Sequence, residues 1–222
     1  MTVRSYEDIR DRLRIRLVDM NTNREELRGM VCEPVGCGFA LAAYMQLPEE
    51  IAGGGVANLP KQAARALGVE ERTIVRDAVA GSETFDAPKL CTMHDMLFGD
   101  ASENLFNEEP AGGDPGFLVL TTEGGRLGAS ALFYPDITGR IGEIVGGDYY
   151  VLPSSIHEVL ILPDSGNLAP DELLRMVQEV NETEVAPEER LGTKVLHYRA
   201  DIRKLQVAAE LVPERARGKE RA

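Results

Sequence analysis

Hydroxyl, imidazole and carboxylate side chains follow one another in the segment "LPSSIHE". Ser154, Ser155, His157 and Glu158 are the residue types that a serine hydrolase uses as nucleophile, base and orienting acid. Catalysis needs a serine Oγ within hydrogen-bond reach of the imidazole, and close neighbours in sequence rarely meet that geometry. Consecutive strand residues also point to opposite faces, so Glu158 is poorly placed to orient His157. We therefore favour a β-hairpin turn here and keep these four as candidate catalytic residues.

Two metal-binding patterns in the chain are incomplete. "HEVLI" begins like the zinc-protease motif H-E-x-x-H, but position 161 is Ile and the segment is predicted to be a strand. The weaker alternative is a C-x4-C plus C-x2-H set formed by Cys32, Cys37, Cys91 and His94. Its first two cysteines lie in an apolar predicted hairpin, where free cysteine behaves as a small hydrophobic residue. No glycine cluster matches a phosphate-binding loop, so we expect neither a metal nor another cofactor.

The overall charge limits the classes of partner. The 222 residues carry a formal net charge of −13, which repels the phosphate backbone of nucleic acids and anionic membrane surfaces. We therefore expect no direct binding of nucleic acid and no membrane association. An acidic surface suits a protein partner, and it can also imitate DNA.

The cysteine count and the N-terminus indicate a compartment. Three cysteines are an odd number, which fits free thiols in a reducing environment better than a disulfide framework. The opening "MTVRSYEDIRDRLR" lacks the apolar region of a signal peptide. These features predict a cytoplasmic protein of unknown oligomeric state.

The N-terminal half is predicted to contain a helix, a hairpin and a helical segment. Ser5 and Asp8 resemble a capping box, and apolar residues then recur at helical spacing as far as Met20. The same stretch contains "RLRIRLV", which alternates with period two, but the cap and the longer register favour a helix. Two apolar runs joined by "VGC" then predict a hairpin, and helical composition interrupted by Gly68 follows.

The C-terminal half is predicted to be an α+β arrangement. "FLVLTTEGGRLGASALFY" reads as two strands around a Gly-Gly turn, and a helix follows Asp136. Two further strands, a helix beginning at Pro170 and the strand "KVLHYR" complete the order β-β-α-β-β-α-β. Hairpin connections of this kind imply a mainly antiparallel sheet with helices on one face.

Composition divides the chain into five predicted segments. These are an N-terminal helix and hairpin, a helical segment, an acidic Gly/Pro-rich linker, an α+β domain and a charged disordered tail, at residues 1–55, 56–98, 99–115, 116–206 and 207–222.

The segments "LPSSIHE" and "MVQEVN" carry a family resemblance. Together with "FLVLTTEGG", they make the chain similar to an uncharacterised bacterial domain family of gut anaerobes, over residues 116–198. The resemblance implies no known chemistry. It does add Asn181, in the second segment, to the candidate site residues.

These observations support three hypotheses about function. We expect a non-catalytic cytoplasmic protein that acts by binding another protein, because no complete catalytic constellation stands in the sequence. The first alternative is a small Ser/His-dependent hydrolase that uses the "LPSSIHE" residues with an acid from elsewhere in the fold. The second alternative, suggested by charge alone, is an acidic DNA-mimicking inhibitor of a DNA-binding enzyme.

Overall fold

The computed structural model describes residues 5–47, 55–98, 103–108, 115–153 and 155–211. These residues form the expected α+β fold, arranged in two compact units, Met1–Ala87 and Pro88–Ala222. The finer division into five segments stays a prediction, and most of the proposed linker lies outside the described residues.

Unit 1 combines an antiparallel sheet with a long helix. Its elements are α1 Glu7–Arg10, β1 Leu13–Asp19, α2 Arg24–Gly29, β2 Cys32–Gly36, β3 Phe39–Gln46, β4 Val56–Asn58, α3 Lys61–Leu67 and α4 Glu71–Phe85. In the described part of this unit, β3 pairs with β1, β2 and β4. The hairpin prediction is confirmed by β2 and β3, and Gly68 ends α3 with a left-handed backbone at φ 67°.

The helix predicted over residues 5–20 is wrong beyond its first turn. The Ser5 amide donates to the Asp8 carboxylate at 3.0 Å, as the capping pattern predicts, but α1 ends at Arg10. Strand β1 follows and pairs with β3 along its whole length. The period-two alternation decides the outcome because Leu13, Ile15 and Leu17 become buried together on one face.

Unit 2 contains the larger sheet. Its elements are β5 Pro88–Thr92, α5 Met93–Phe98, β6 Leu118–Thr122, α6 Ile137–Val145, β7 Tyr149–Leu152, β8 Val159–Pro163, α7 Pro170–Thr183, β9 Lys194–Arg199 and β10 Lys204–Glu210. The described strands are all antiparallel in the order β10-β9-β7-β8-β6-β5. The segment predicted to be helical before residue 98 therefore includes one strand of this sheet.

The helices of unit 2 cover both faces of its sheet, whereas the sequence predicts one. Side chains alternate along β7, so Tyr149 and Tyr150 point to opposite faces. Tyr149 donates from its hydroxyl to the carbonyl of Thr138 in α6, at 2.9 Å. Tyr150 belongs to the cluster with which α7 packs, through Leu173 and Val177. Alternation fixes which strand residues share a face, but it does not say on which face a distant helix packs.

The hairpin predicted around Gly124-Gly125 is also wrong. The chain turns there, but the second run forms a 3₁₀ helix over Gly128–Phe133. Both edges of β6 are already occupied by β5 and β8, so no edge remains for a local partner. The small residues of "GASAL" pack as a buried turn beside β6 instead.

The last strand, β10, was missed. It pairs with β9 over residues that include the start of the predicted tail, so residues 207–210 form a strand. The remainder of that tail, residues 212–222, lies outside the described residues.

Candidate functional site

The predicted site occupies the loop between β7 and β8. The hairpin interpretation is confirmed, since these strands pair from Tyr149 opposite Pro163 to Leu152 opposite Leu160. Ser155 is buried and forms an isolated β-bridge with Arg190. Its Oγ accepts a hydrogen bond from the backbone amide of His157 at 3.0 Å. Ser154 lies outside the described residues.

The imidazole of His157 makes two hydrogen bonds within the fold. Its Nδ1 accepts from the backbone amide of Leu127 at 3.3 Å, and its Nε2 lies 3.2 Å from Oε1 of Glu189. A nitrogen that accepts an amide proton is unprotonated, so this arrangement assigns the proton to Nε2, which donates to Glu189. Activation of a serine by His157 would therefore require one of these bonds to break. We call His157, Leu127, Ser155 and Glu189 the His157 cluster.

Backbone contacts around the His157 cluster tie three chain segments together. Thr121 donates from its hydroxyl to the His157 carbonyl at 2.9 Å, and Ala129 donates its amide to the carbonyl of Ile156 at 3.2 Å. Ile156 in turn donates its amide to the Glu189 carbonyl at 2.9 Å. The cluster thus joins the β7–β8 loop to the turn after β6 and to the segment before β9.

The remaining candidate residues are placed as follows. Glu158 is half-buried, and the acid beside the imidazole is Glu189, which is 32 residues from His157. No local sequence signal marks Glu189, because its proximity depends on the packing of distant segments. Asn181 is buried in α7 and donates from Nδ2 to the Gly192 carbonyl at 2.9 Å and to the Thr193 hydroxyl at 3.3 Å. These bonds join α7 to the residues that directly precede β9.

The alternative metal set is not assembled. Within the described ranges, no three His, Cys, Asp or Glu side chains are grouped as metal ligands. Cys32 and Cys37 belong to unit 1, whereas Cys91 and His94 belong to unit 2. Cys91 is buried with its thiol near the Val119 carbonyl, and burial raises the pKa of the Cys32 thiol, so each behaves as an apolar side chain.

A second polar cluster lies on the face of the sheet that α7 covers, and no sequence pattern predicts it. Tyr150 and His197 stand opposite each other on β7 and β9, and their ring centroids are 4.6 Å apart. His197 Nε2 lies 3.0 Å from Oδ2 of Asp164, which directly follows β8. Gly166 donates its amide to the other oxygen, Oδ1, at 2.9 Å. We call Tyr150, Asp164 and His197 the Asp164 cluster.

The Asp164 cluster borders a pocket of about 220 Å³. Tyr150, Asp164 and Ser165 are its polar lining residues, and Gly116 and apolar side chains complete the lining. The apolar lining residues are Phe117, Leu162, Pro163 and Leu168. Burial raises the pKa of Tyr150, as does the negative charge of the nearby Asp164 carboxylate. The phenol therefore stays protonated at neutral pH.

Helix α7 presents an acidic face to solvent. Its apolar face, with Leu173 and Val177, packs on the cluster that contains Tyr150. The exposed carboxylates of its outer face are Asp171, Glu172, Glu179 and Glu182. The same face carries one base, Arg175, and the side chain of Met176, which is 42% exposed. We call this set of exposed residues the α7 outer face.

Fold and site together define an α+β protein with hydrogen-bonded histidines, a small acidic pocket and an acidic helix. The chain belongs to a family of unknown function, DUF5688, whose sequence profile matches residues 1–200. The match is broader than the resemblance over residues 116–198, and it confirms an uncharacterised family.

The other comparisons gave no match. The comparison with curated proteins and the comparison with solved structures each found no match. No helix in the described part of the chain combines the length and apolar character needed to cross a bilayer.

Proposed function

We propose that this is a non-catalytic binding protein whose partner is another protein with a basic surface. The observation that carries the proposal is the α7 outer face, where four exposed carboxylates and one base lie beside an exposed methionine at the edge of the face. Protein interfaces commonly combine an apolar centre, in which methionine is enriched, with a polar rim. Charge of one sign also steers a partner of the opposite sign.

Helix α7 is suited to present this face because it is held firmly. Leu173 is fully buried and Val177 nearly so, which anchors the inner face to the sheet. At its N-terminus the amide of Ala169 donates to the Glu172 carboxylate at 3.1 Å, and Pro170 occupies the first turn. A helix that is already ordered loses little conformational entropy when a partner binds.

The contacts of His157 support a role without catalysis. Both ring nitrogens bind groups of the protein itself, and the Ser155 hydroxyl accepts from a backbone amide. These are the contacts of a residue that stabilises a loop. A nucleophile and its base would instead contact each other.

The proposal is tested by affinity capture from lysate of the natural host, with nuclease treatment and native mass spectrometry. The test variant carries Glu179→Lys and Glu182→Lys on α7. The matched control carries Glu25→Lys and Glu143→Lys, which make the same charge change at exposed positions elsewhere. We expect a stoichiometric protein that the wild type and the control retain and the α7 variant loses. Retention by all three, or by none, would contradict the proposal.

The alternative is a small hydrolase based on Ser154 or Ser155 with His157. The carboxylate of Glu189 beside the imidazole favours it, since an orienting acid is the third member of such a site. Substrate screening with the wild type and with a folded His157→Ala variant separates the two hypotheses. A turnover that this substitution abolishes would establish the hydrolase.

Three further elements of the proposal stay predictions. They are the bacterial origin, with a family of gut anaerobes as the one resembled, the cytoplasmic location and the DNA-mimicking variant of the function. Salt-sensitive competition between this protein and DNA for one captured partner would support that variant.

A further inference from the structure

We infer that the pocket beside Tyr150 and Asp164 binds a primary ammonium group carried on an aliphatic chain. This inference deepens the proposed function, and it rests on that function where the ammonium belongs to a lysine of the partner protein. The same chemistry is shared by a free alkylamine, which requires no partner.

The polar side of the pocket is organised before any ligand arrives. The Asp164 carboxylate accepts from His197 Nε2 at 3.0 Å and from the Gly166 amide at 2.9 Å. A carboxylate offers about four acceptor positions, so these two donors leave capacity for a further donor. An ammonium group provides such a donor together with the compensating charge.

The apolar side of the pocket suits the methylene stem. Phe117, Leu162, Pro163 and Leu168 supply aliphatic and aromatic surface. Lysine-like ligands bury their stems along such surface, and aromatic faces attract cations. The pocket volume of about 220 Å³ is below the range of about 300–1,000 Å³ that is usual for drug-sized ligands, so a single side chain fits better.

The charge of the residues that line the pocket favours a positively charged ligand. Among the described residues that line the pocket, Asp164 alone has a charged side chain. An anionic head group would meet this carboxylate, and the neighbouring base, His197, is already bonded to it, whereas a cation gains from the carboxylate. The net charge of −13 further favours approach by a cation.

The test is a titration of the full-length protein with pentylamine, followed by the NMR signals of the Ser165 and Gly166 amides. Pentan-1-ol, which has the same stem without the charge, is the ligand control. We expect saturable shifts with a Kd on the order of 1 mM for the amine and at least tenfold weaker binding of the alcohol. Equal binding of both ligands, or no saturable shift with the amine, would overturn the inference.

Two variants and one control assign the binding to this pocket. Asp164→Asn removes the charge, and Leu168→Trp fills the apolar side. Asp201→Asn removes an exposed carboxylate that does not line the pocket. We expect both pocket variants to weaken amine binding at least tenfold and the control to leave it unchanged. If Asp164→Asn does not fold, Leu168→Trp decides, and unchanged binding to a folded pocket variant contradicts the site.

A peptide arm distinguishes the two sources of the ammonium. A short capped peptide with one central lysine is compared with the same peptide bearing acetyl-lysine. Displacement of pentylamine by the first peptide alone indicates a protein lysine, whereas amine binding without displacement supports the site for a small amine. Because these titrations use no partner, loss of partner capture and loss of amine binding are separate outcomes.

Discussion

His157 and Glu189 are 32 residues apart in the chain, yet Nε2 of the histidine lies 3.2 Å from Oε1 of the glutamate. The opposite ring nitrogen accepts from the Leu127 amide, so one imidazole bridges two segments that are distant in sequence. The side chains of His157 and Glu189 are 29% and 41% exposed, so solvent weakens the hydrogen bond between them. The bond from the Leu127 amide holds the half-buried start of the 3₁₀ helix against the β7–β8 loop.

Substitution of His157 should therefore destabilise the fold. We expect His157→Ala to lower the free energy of unfolding by about 1–3 kcal/mol, because the Leu127 amide loses its acceptor. Glu189→Gln should cost about 1 kcal/mol or less, since that carboxylate is partly solvated. Urea denaturation measures both. His94→Ala is the control, because this histidine is 82% exposed; equal effects at His94 and His157 would contradict a structural role.

Gly128 should tolerate no side chain. A Cβ at this position would overlap the Thr121 hydroxyl and lie 2.5 Å from the His157 carbonyl oxygen and 2.8 Å from the Thr122 amide nitrogen. We expect Gly128→Ala to destabilise by about 3 kcal/mol or more, or to prevent folding, because two of these atoms belong to the backbone.

The control for Gly128 is Gly147→Ala. A Cβ at Gly147 meets nothing within 4 Å, so thermal unfolding should place this variant within about 1 kcal/mol of the wild type. Comparable melting of the two variants would show that the close packing of Gly128 against β6 is incorrect.

Local signals explain which elements could be predicted. Pro170 and the acids after it mark the start of α7, and the "VGC" turn marks the hairpin of β2 and β3. The errors occur where competition for strand partners decides the structure. Residues 13–19 pair with a strand that is distant in sequence, and the run after Gly125 finds both edges of β6 occupied. Such competition cannot be read from periodicity alone.

The ion pair between the buried Lys194 and the half-buried Glu210 should stabilise unit 2. These residues stand opposite each other on β9 and β10, with Nζ and Oε1 3.2 Å apart and the lysine side chain 1% exposed. Glu210→Gln removes the carboxylate from a buried ammonium, so we expect a loss of about 3 kcal/mol.

The control for this pair is Glu143→Gln. Glu143 Oε1 lies 3.9 Å from a guanidinium nitrogen of Arg203, and both side chains are mostly exposed. Chemical denaturation should therefore show a change in the free energy of unfolding within about 0.5 kcal/mol. If both substitutions have the same small effect, burial of the Lys194 ammonium does not depend on the Glu210 carboxylate.

The protein should lose stability in alkaline solution. Burial raises the pKa of Tyr6, Tyr149 and Tyr150. The nearby Asp77 raises the pKa of Tyr6 further, and Asp164 does the same for Tyr150. Below the unfolded tyrosine pKa of about 10 both states keep the proton and the stabilisation is complete. As the pH rises above that value the unfolded chain releases protons that the folded chain retains, so stability falls.

Ultraviolet titration of tyrosinate measures this difference. The folded protein should release fewer phenolic protons near pH 10 than the denatured chain, with the remainder appearing on unfolding. Identical titration curves for the folded and denatured protein would contradict the burial of these phenols.

The candidate site was only partly predictable for a related reason. The "LPSSIHE" residues are conspicuous in sequence, but their partners, Leu127 and Glu189, are 30 and 32 residues from His157. No local motif marks Asp164 or His197. They come within 3.0 Å of each other because the sheet places β8 and β9 on either side of β7. The residue types indicate which chemistry is possible, whereas the order of the strands decides which side chains come into contact.

The most direct test of the proposed function is the affinity for the captured partner, once it has been identified and purified. Isothermal titration compares the wild type, the Glu179→Lys and Glu182→Lys variant, and the Glu25→Lys and Glu143→Lys control. A basic partner that docks on the α7 outer face predicts a Kd at least tenfold weaker for the first variant and unchanged for the control. Equal affinities for all three proteins would contradict binding through this face.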